Sequence, residues 1–310
     1  MRSMSLIMVM LVLAACGSGA TTPTSNSQTE STAQVKVVTT MSILADIIKQ
    51  VGGERVQVEN IVPMGAGPED YQATPGDSQK IANAQIIFFN GHGLEEWIEP
   101  LFENAGNPNQ PRIELSATMK AIEDEEHAGD ASGDEHGHEG GNPHFWLDPT
   151  YVMSYTTTIK DELSKLDPAG AASYSTNADN YIKQLQTLDA DLQAQASQIP
   201  AERRILITNH DAFPYFAQRY GFTVAGVILP NPEAELSAGE LSQLIDIIKQ
   251  QNVPAIFSES QFNQKTAQLL ADEAGVKTIG VLYTDTLGAN AKTYTDMMRY
   301  NMRTVVEALK

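Results

Sequence analysis

Asn180-Tyr181-Ile182-Lys183-Gln184-Leu185-Gln186-Thr187-Leu188-Asp189-Ala190-Asp191-Leu192 sets Tyr181, Leu185, Leu188 and Leu192 three or four residues apart. That is one apolar stripe along a helix whose other faces are polar. The helical pattern extends from about 170 to 198, where Ile199-Pro200 stops it, and another helix-like stretch, 149–166, precedes it across Asp167-Pro168. On either side the rhythm differs. Strand-like runs Val35–Thr39, Val56–Ile61, Ile86–Asn90, Ile205–Thr208, Thr223–Val227, Ala255–Phe257 and Thr278–Val281 alternate with helix-like Ser42–Val51, Leu94–Asn104, Ser237–Gln250 and Lys265–Ala274. Such alternation implies βαβ units and parallel sheets. The expected fold is α/β: two βα lobes, residues 35–148 and 201–310, joined by a helical connector at 149–200. One long rigid helix between lobes makes a stiff hinge, unlike a pair of crossing strands.

Composition limits what the lobes do. With 39 acidic against 20 basic residues, the chain of 310 residues carries a formal charge of −19. A protein that grips phosphates needs a basic stripe, so nucleic acid is excluded as a partner. The single cysteine, Cys16, rules out an internal disulfide framework and a Cys-rich zinc module.

The start of the chain predicts the compartment. Leu6–Leu13 is an apolar run behind Arg2, too short to span a bilayer, and reads as a signal peptide over residues 1–15. Leu13-Ala14-Ala15-Cys16 resembles the bacterial lipobox, in which cleavage precedes a cysteine that is then acylated. Residues 17–34, rich in Ser, Thr, Gly and Gln, follow as a flexible tether, so 16–34 is anchor plus leash. The expected product is an extracytoplasmic body held by a lipid on Cys16 to the outer face of the cytoplasmic membrane.

Residues 123–139 stand apart. They hold eight acids, His127, His136 and His138, and no basic residue. Clustered imidazoles and carboxylates are zinc-type ligands, so the stretch reads either as a metal-collecting loop or as a solvated acidic loop without a specific partner.

The other three histidines are His92, His144 and His210. His210 and Asp285 each follow a strand-like run, the place where open α/β sheets collect ligands. On spacing alone, a loop His or Asp is more often a local hydrogen-bonding or capping residue.

Several ordered motifs then resemble one family. Val37-Val38-Thr39-Thr40-Met41-Ser42-Ile43, Ile61-Val62-Pro63 with Gly67-Pro68-Glu69-Asp70-Tyr71, and Pro143-His144-Phe145-Trp146-Leu147-Asp148 come first. Thr208-Asn209-His210-Asp211-Ala212-Phe213, Pro232-Glu233-Ala234-Glu235-Leu236-Ser237, Pro254-Ala255-Ile256-Phe257-Ser258-Glu259 and Tyr283-Thr284-Asp285 follow. From Val35 to Leu309 the chain resembles the zinc/manganese-binding receptors of bacterial ABC transporters, the cluster A-I lipoproteins. The resemblance implies that two lobes clamp one metal ion in their crevice, with Glu69 and His144 from the first lobe and His210 and Asp285 from the second. It also implies a His-rich loop before the second ligand in zinc members, the place of 123–139. One position departs: the first ligand is usually His, and aligning Pro68 and Tyr71 puts Glu69 there. Glu69 as a carboxylate ligand, or three protein ligands plus water, both stay open; His92 reads as a turn residue before the helix at Leu94 or as a substitute ligand, and Glu259 as a spare carboxylate that supports the ligands from behind or serves the fold.

Two imidazoles and two carboxylates suit a divalent first-row ion, Zn²⁺ being favoured by His210 and the His-rich loop and Mn²⁺ being the alternative with its taste for oxygen ligands. The expected function is capture of that ion by a monomer and its delivery to an ABC transporter permease, without covalent chemistry. The competing readings are an extracytoplasmic zinc hydrolase, which an open coordination position would permit, and a metal-buffering surface adhesin built on the acidic loop. No His-Glu-x-x-His helix or Gly-x-Ser-x-Gly turn supports the hydrolase.

Overall fold

The computed structural model describes residues 34–105, 107–123, 141–229 and 236–310. The signal peptide, Cys16, most of the tether, and His127, His136 and His138 lie outside the described residues.

The first lobe carries a parallel sheet of β1 (Val35–Thr39), β2 (Val56–Asn60), β3 (Ile86–Phe89) and β4 (Arg112–Glu114), in the order β2-β1-β3-β4. Its helices are α1 (Ser42–Gly52), α2 (Pro75–Asn83) and α3 (Glu99–Ala105). The stretch expected as one helix over Leu94–Asn104 is broken into a turn, a 3₁₀ turn at Glu96–Ile98, and α3. Pro100 explains the restart: it has no N–H to give and is tolerated only in a helix's first turn. In the second lobe β5 (Ile205–Thr208) pairs in parallel with β6 (Thr223–Val227), and β7 (Ala255–Glu259) with β8 (Thr278–Leu282). The β5 and β7 strands lie side by side without a continuous ladder between them. The lobe's helices are α6 (Pro214–Tyr220), α7 (Ala238–Gln251), α8 (Lys265–Ala274) and α9 (Tyr294–Leu309).

Between the lobes run α4 (Pro149–Leu166) and α5 (Ala171–Ala196). With 26 residues, α5 is about 39 Å long. Its stripe of Tyr174, Ala178, Tyr181, Leu185, Leu188, Leu192 and Ala196 is buried, packed against α4, α1 and α9. Each leucine so buried contributes about 1.5–3 kcal/mol relative to exposure. Arg55 grips Asp167 through Nε (2.8 Å) and Nη2 (2.9 Å), and Tyr174 Oη donates to the same carboxylate at 2.7 Å, pinning the turn between α4 and α5.

The last helix makes a second crossing. Tyr294, at the start of α9, donates its N–H to Asp46 Oδ2 in α1 (2.8 Å) and its hydroxyl to the Trp146 carbonyl (2.8 Å). One apolar core therefore runs from β1 and α1 through α4, α5 and α9 into the second lobe. A smaller core lies under α7 and α8, and another under α2 and α3. Two βα lobes, tied by a long helix, face each other across a cleft. No helix among the described residues is long and apolar enough to cross a membrane.

Candidate metal centre

Each lobe contributes two loops to the cleft, and each loop is anchored before it presents its side chain. Phe145, Trp146 and Leu147 are fully buried, and Asp148 caps α4 by accepting the Thr150 N–H at 2.8 Å. His144 is thus held between a buried aromatic turn and a helix start. Upstream, the Trp97 indole donates to the Pro68 carbonyl at 2.6 Å, and Tyr71 packs edge-on to the Trp97 ring at 5.0 Å, which fixes the loop bearing Glu69. His210 leaves the end of β5, and Asp285 follows β8 beyond Thr284, whose carbonyl accepts the Trp146 indole N–H at 2.7 Å across the cleft. Thr286 Oγ1 accepts the Gly65 N–H at 2.8 Å, and Ser42 Oγ accepts the Leu287 N–H at 2.8 Å, so the lobes also meet beside the site.

The four side chains converge. His144 Nε2 lies 3.1 Å from Glu69 Oε1, 3.2 Å from His210 Nε2 and 3.6 Å from Asp285 Oδ1. His210 Nε2 is 3.4 Å from Asp285 Oδ2. Glu69 keeps 11% of its side chain exposed against 2–3% for the other three, which makes it the solvent-side member.

The outer nitrogens settle the tautomers. His144 Nδ1 is 3.0 Å from Asn142 Oδ1, an oxygen that also accepts the His144 backbone N–H, while Asn142 Nδ2 donates to the Asp211 carbonyl. His210 Nδ1 is 2.6 Å from Glu259 Oε2. Both rings therefore carry hydrogen on Nδ1 and aim Nε2 into the cleft, the arrangement of metal-binding imidazoles held from behind. Two facing lone pairs at 3.2 Å repel unless a cation or a proton sits between them. Burial alone disfavours a charged His210, but Glu259, Asp285 and Glu69 override it and raise its pKa to about 10. Burial also lifts Asp285 to about 6, against the pull of His210 and His144. A proton on His210 holds the place that suits a cation.

The structure brings together Glu69, His144, His210 and Asp285. It puts Glu259 behind His210, where Oε1 accepts the Asn209 and His210 N–H groups at 3.0 and 3.1 Å. His92 points elsewhere: Nδ1 is 2.8 Å from Ser116 Oγ, and φ of +52° marks it as a turn residue. Asn142, one residue before the Pro143–Asp148 motif, and Gln261, which donates to Asp285 Oδ2 at 2.7 Å, carried no motif in the sequence.

A buried carboxylate outside the cleft supports the His144 loop. Glu95 accepts from Thr40 Oγ1 (2.7 Å), Asn90 N (2.9 Å) and Gly91 N (2.9 Å). Asn90 in turn donates to the Pro143 carbonyl at 3.0 Å, next to His144. A side chain on Gly91 would strike Glu114, and its φ of +91° suits glycine. Burial raises Glu95 from 4.5 to about 7, opposed by those N–H and hydroxyl donors. Its folded pKa lies above its unfolded one, so the stability it adds is full below pH 4.5 and is lost as pH rises through about 7. Urea unfolding of wild type and Glu95→Gln across that range should show wild type gaining on the variant towards acid by on the order of 3 kcal/mol. Parallel curves would remove the titration from Glu95.

Residues 37–308 match the family model described as zinc-uptake complex component A, periplasmic (ZnuA). The chain belongs to the ZnuA family. Among relatives, this ZnuA-family chain is 36% identical over 284 residues to the manganese-binding lipoprotein MntA of Halalkalibacterium halodurans, covering 91% of this chain and 90% of MntA. It is 33% identical over 282 residues to the iron-binding protein YfeA of Yersinia pestis, covering 90% and 88%. The periplasmic zinc-binding protein TroA of Treponema pallidum superposes with a TM-score of 0.77 at 31% identity, covering 89% of this chain and 99% of TroA. As a family member the chain is a divalent-metal-binding protein of an ABC importer and not an enzyme. The hydrolase reading ends there.

Proposed function

We propose that this chain is an extracytoplasmic lipoprotein that captures Zn²⁺ with Glu69, His144, His210 and Asp285 and hands it to the permease of an ABC importer. The observation that carries this is the convergence of four acceptor atoms with both Nδ1 positions held from behind. Ligands near 2.0–2.1 Å from a tetrahedral ion stand roughly 3.3–3.4 Å from one another. The separations of 3.1, 3.2 and 3.6 Å from His144 Nε2 to Glu69 Oε1, His210 Nε2 and Asp285 Oδ1 bracket that edge. Because each lobe supplies two ligands, occupancy couples to closure, and a permease has a loaded shape to recognise. In this reading residues 35–148 and 201–310 are the lobes, 149–200 the connector, and acylated Cys16 the anchor of a monomer. The loop with His127, His136 and His138 collects ions.

Mn²⁺ is the second reading. Two carboxylates are hard donors, Mn²⁺ prefers such oxygens, and the relative MntA is named for manganese. Elemental analysis of the purified protein, followed by competitive Zn²⁺/Mn²⁺ titration, tests both. One tightly held zinc per chain, weakened by Glu69→Ala, is the expected result. Protein that retains no transition metal would sink the proposal, and unchanged zinc affinity in Glu69→Ala would take Glu69 out of the ligand set.

A further inference from the structure

Gln261 stands in the turn after β7, half-buried, with its amide turned towards the cleft. Its Nε2 lies 2.6 Å from Thr284 Oγ1, 2.7 Å from Asp285 Oδ2 and 3.3 Å from Glu259 Oε2. The orientation of the amide follows from its partners. Thr284 Oγ1 spends its hydrogen on Glu259 Oε2 at 2.7 Å, so towards Gln261 it only accepts. The other two partners are carboxylate oxygens. Only the NH₂ end has hydrogens to give them, and its two hydrogens go to the nearer pair, Thr284 Oγ1 and Asp285 Oδ2.

This makes the two oxygens of Asp285 unequal. Oδ2 is engaged by the amide, whereas Oδ1 is buried without a hydrogen-bond donor and faces His144 Nε2 at 3.6 Å. Oδ2 nonetheless lies 3.4 Å from His210 Nε2, near enough to join the same ion if the amide released it. We infer that Gln261 is a positioning residue that restricts Asp285 to one oxygen towards the metal and thereby biases the site against ions that want more than four ligands. The inference rests on the proposed metal capture by Asp285 and its three partners.

The physical reason lies in coordination number. Zn²⁺ is satisfied by four ligands, whereas Mn²⁺ favours oxygen donors and larger shells, so a second carboxylate oxygen benefits Mn²⁺ more. An ion that takes Oδ2 competes with the amide for that oxygen's electron density and direction, weakening a hydrogen bond to a charged acceptor in a buried site, a cost of up to about tenfold in binding. Gln261 imposes that cost mainly on the ion that needs Oδ2.

The test uses the full chain stripped of metal. Zn²⁺ and Mn²⁺ dissociation constants are measured by competition for wild type, Gln261→Leu and Gln261→Met, and visible spectra are recorded with Co²⁺ as a coordination probe. Met keeps the length of the side chain, so it covers the case in which Leu disturbs folding, which apo thermal melts report. The expected result is a drop of about tenfold in the preference for Zn²⁺ over Mn²⁺. The Co²⁺ bands should also weaken, as they do when a tetrahedral ion gains a ligand. A zinc preference within about twofold of wild type and an unchanged Co²⁺ spectrum, in a variant that melts like wild type, would overturn the inference and leave metal capture standing. Wild type that binds none of these ions would overturn metal capture and the inference with it.

Discussion

Replacing Glu259 by Ala is expected to cost the metal-free protein about 3–5 kcal/mol. Glu259 ends β7 and is completely buried. One oxygen accepts the N–H groups of Asn209 and His210; the other accepts the Thr284 hydroxyl and pairs with His210 Nδ1 at 2.6 Å. The truncation leaves two backbone donors, a hydroxyl and a charged ring without their buried acceptor. Each buried donor left unmade costs about 1–3 kcal/mol, although they are not additive. A protein whose whole stability is about 5–15 kcal/mol has little room for such a loss. Glu259→Gln is milder for the fold, because the amide oxygen still accepts from Asn209 and His210. Its NH₂ then faces the Thr284 hydroxyl and His210 N–H, so the ring loses its backing, and outer-shell losses of this kind lower metal affinity about 10–100-fold. Urea unfolding at neutral pH measures the first effect, and a loss below about 1 kcal/mol in Glu259→Ala would show that β5 and β7 are held together by other contacts.

A supporting role for Glu259 was legible in the sequence but its partners were not, and the reason is distance along the chain. Its partners Asn209 and Thr284 are 50 and 25 positions away. Periodicity and capping rules reach only a few residues, so Glu259 read as a supporting carboxylate without named partners and Gln261 as nothing. Where the deciding physics is local, the reading held. Lys265–Ala274 has the bounds expected of it, since Gly275 takes the left-handed conformation that ends a helix. The α5 stripe was legible because burial on one face imposes spacing of three and four. β4 escaped because three residues, Arg112–Glu114, are too few to display a period. α9 escaped although its buried face has Met297, Met298, Met302, Val305 and Val306 at helical spacing. Its crossing back to α1 through Tyr294 and Asp46 is a contact over 248 positions that no local pattern announces. The convergence of Glu69, His144, His210 and Asp285 was expected only from the resemblance, because spacing alone does not bring four loops to one point.

His144→Ala should abolish tight metal binding while leaving the metal-free protein folded, with a stability loss of about 1–3 kcal/mol. His144 Nε2 is the atom of the site that lies within 3.6 Å of the presented atoms of Glu69, His210 and Asp285. Removing a ligand atom so placed should cost more than the roughly hundredfold upper range seen for outer-shell partners. The metal-free state loses the contacts of Nδ1 with Asn142 and of Nε2 with His210, a smaller effect than the loss of a ligand, and no charged group is left buried by the removal of a neutral ring. His210→Ala is a poorer test of function. It strips metal binding as well, but it leaves Glu259 and Asp285 buried without their cation, so lost affinity and lost folding would be confounded. The clean experiment compares thermal melts of wild type, His144→Ala and His92→Ala with and without Zn²⁺. A ligand that binds only the folded state at a thousand times its Kd adds about 4 kcal/mol. Wild type and His92→Ala, whose ring is occupied by Ser116, should both show that rise. His144→Ala should melt at the metal-free temperature with or without zinc. A zinc-induced rise preserved in His144→Ala and lost in His92→Ala would move the site away from the cleft and onto the turn at Asn90–Gly93.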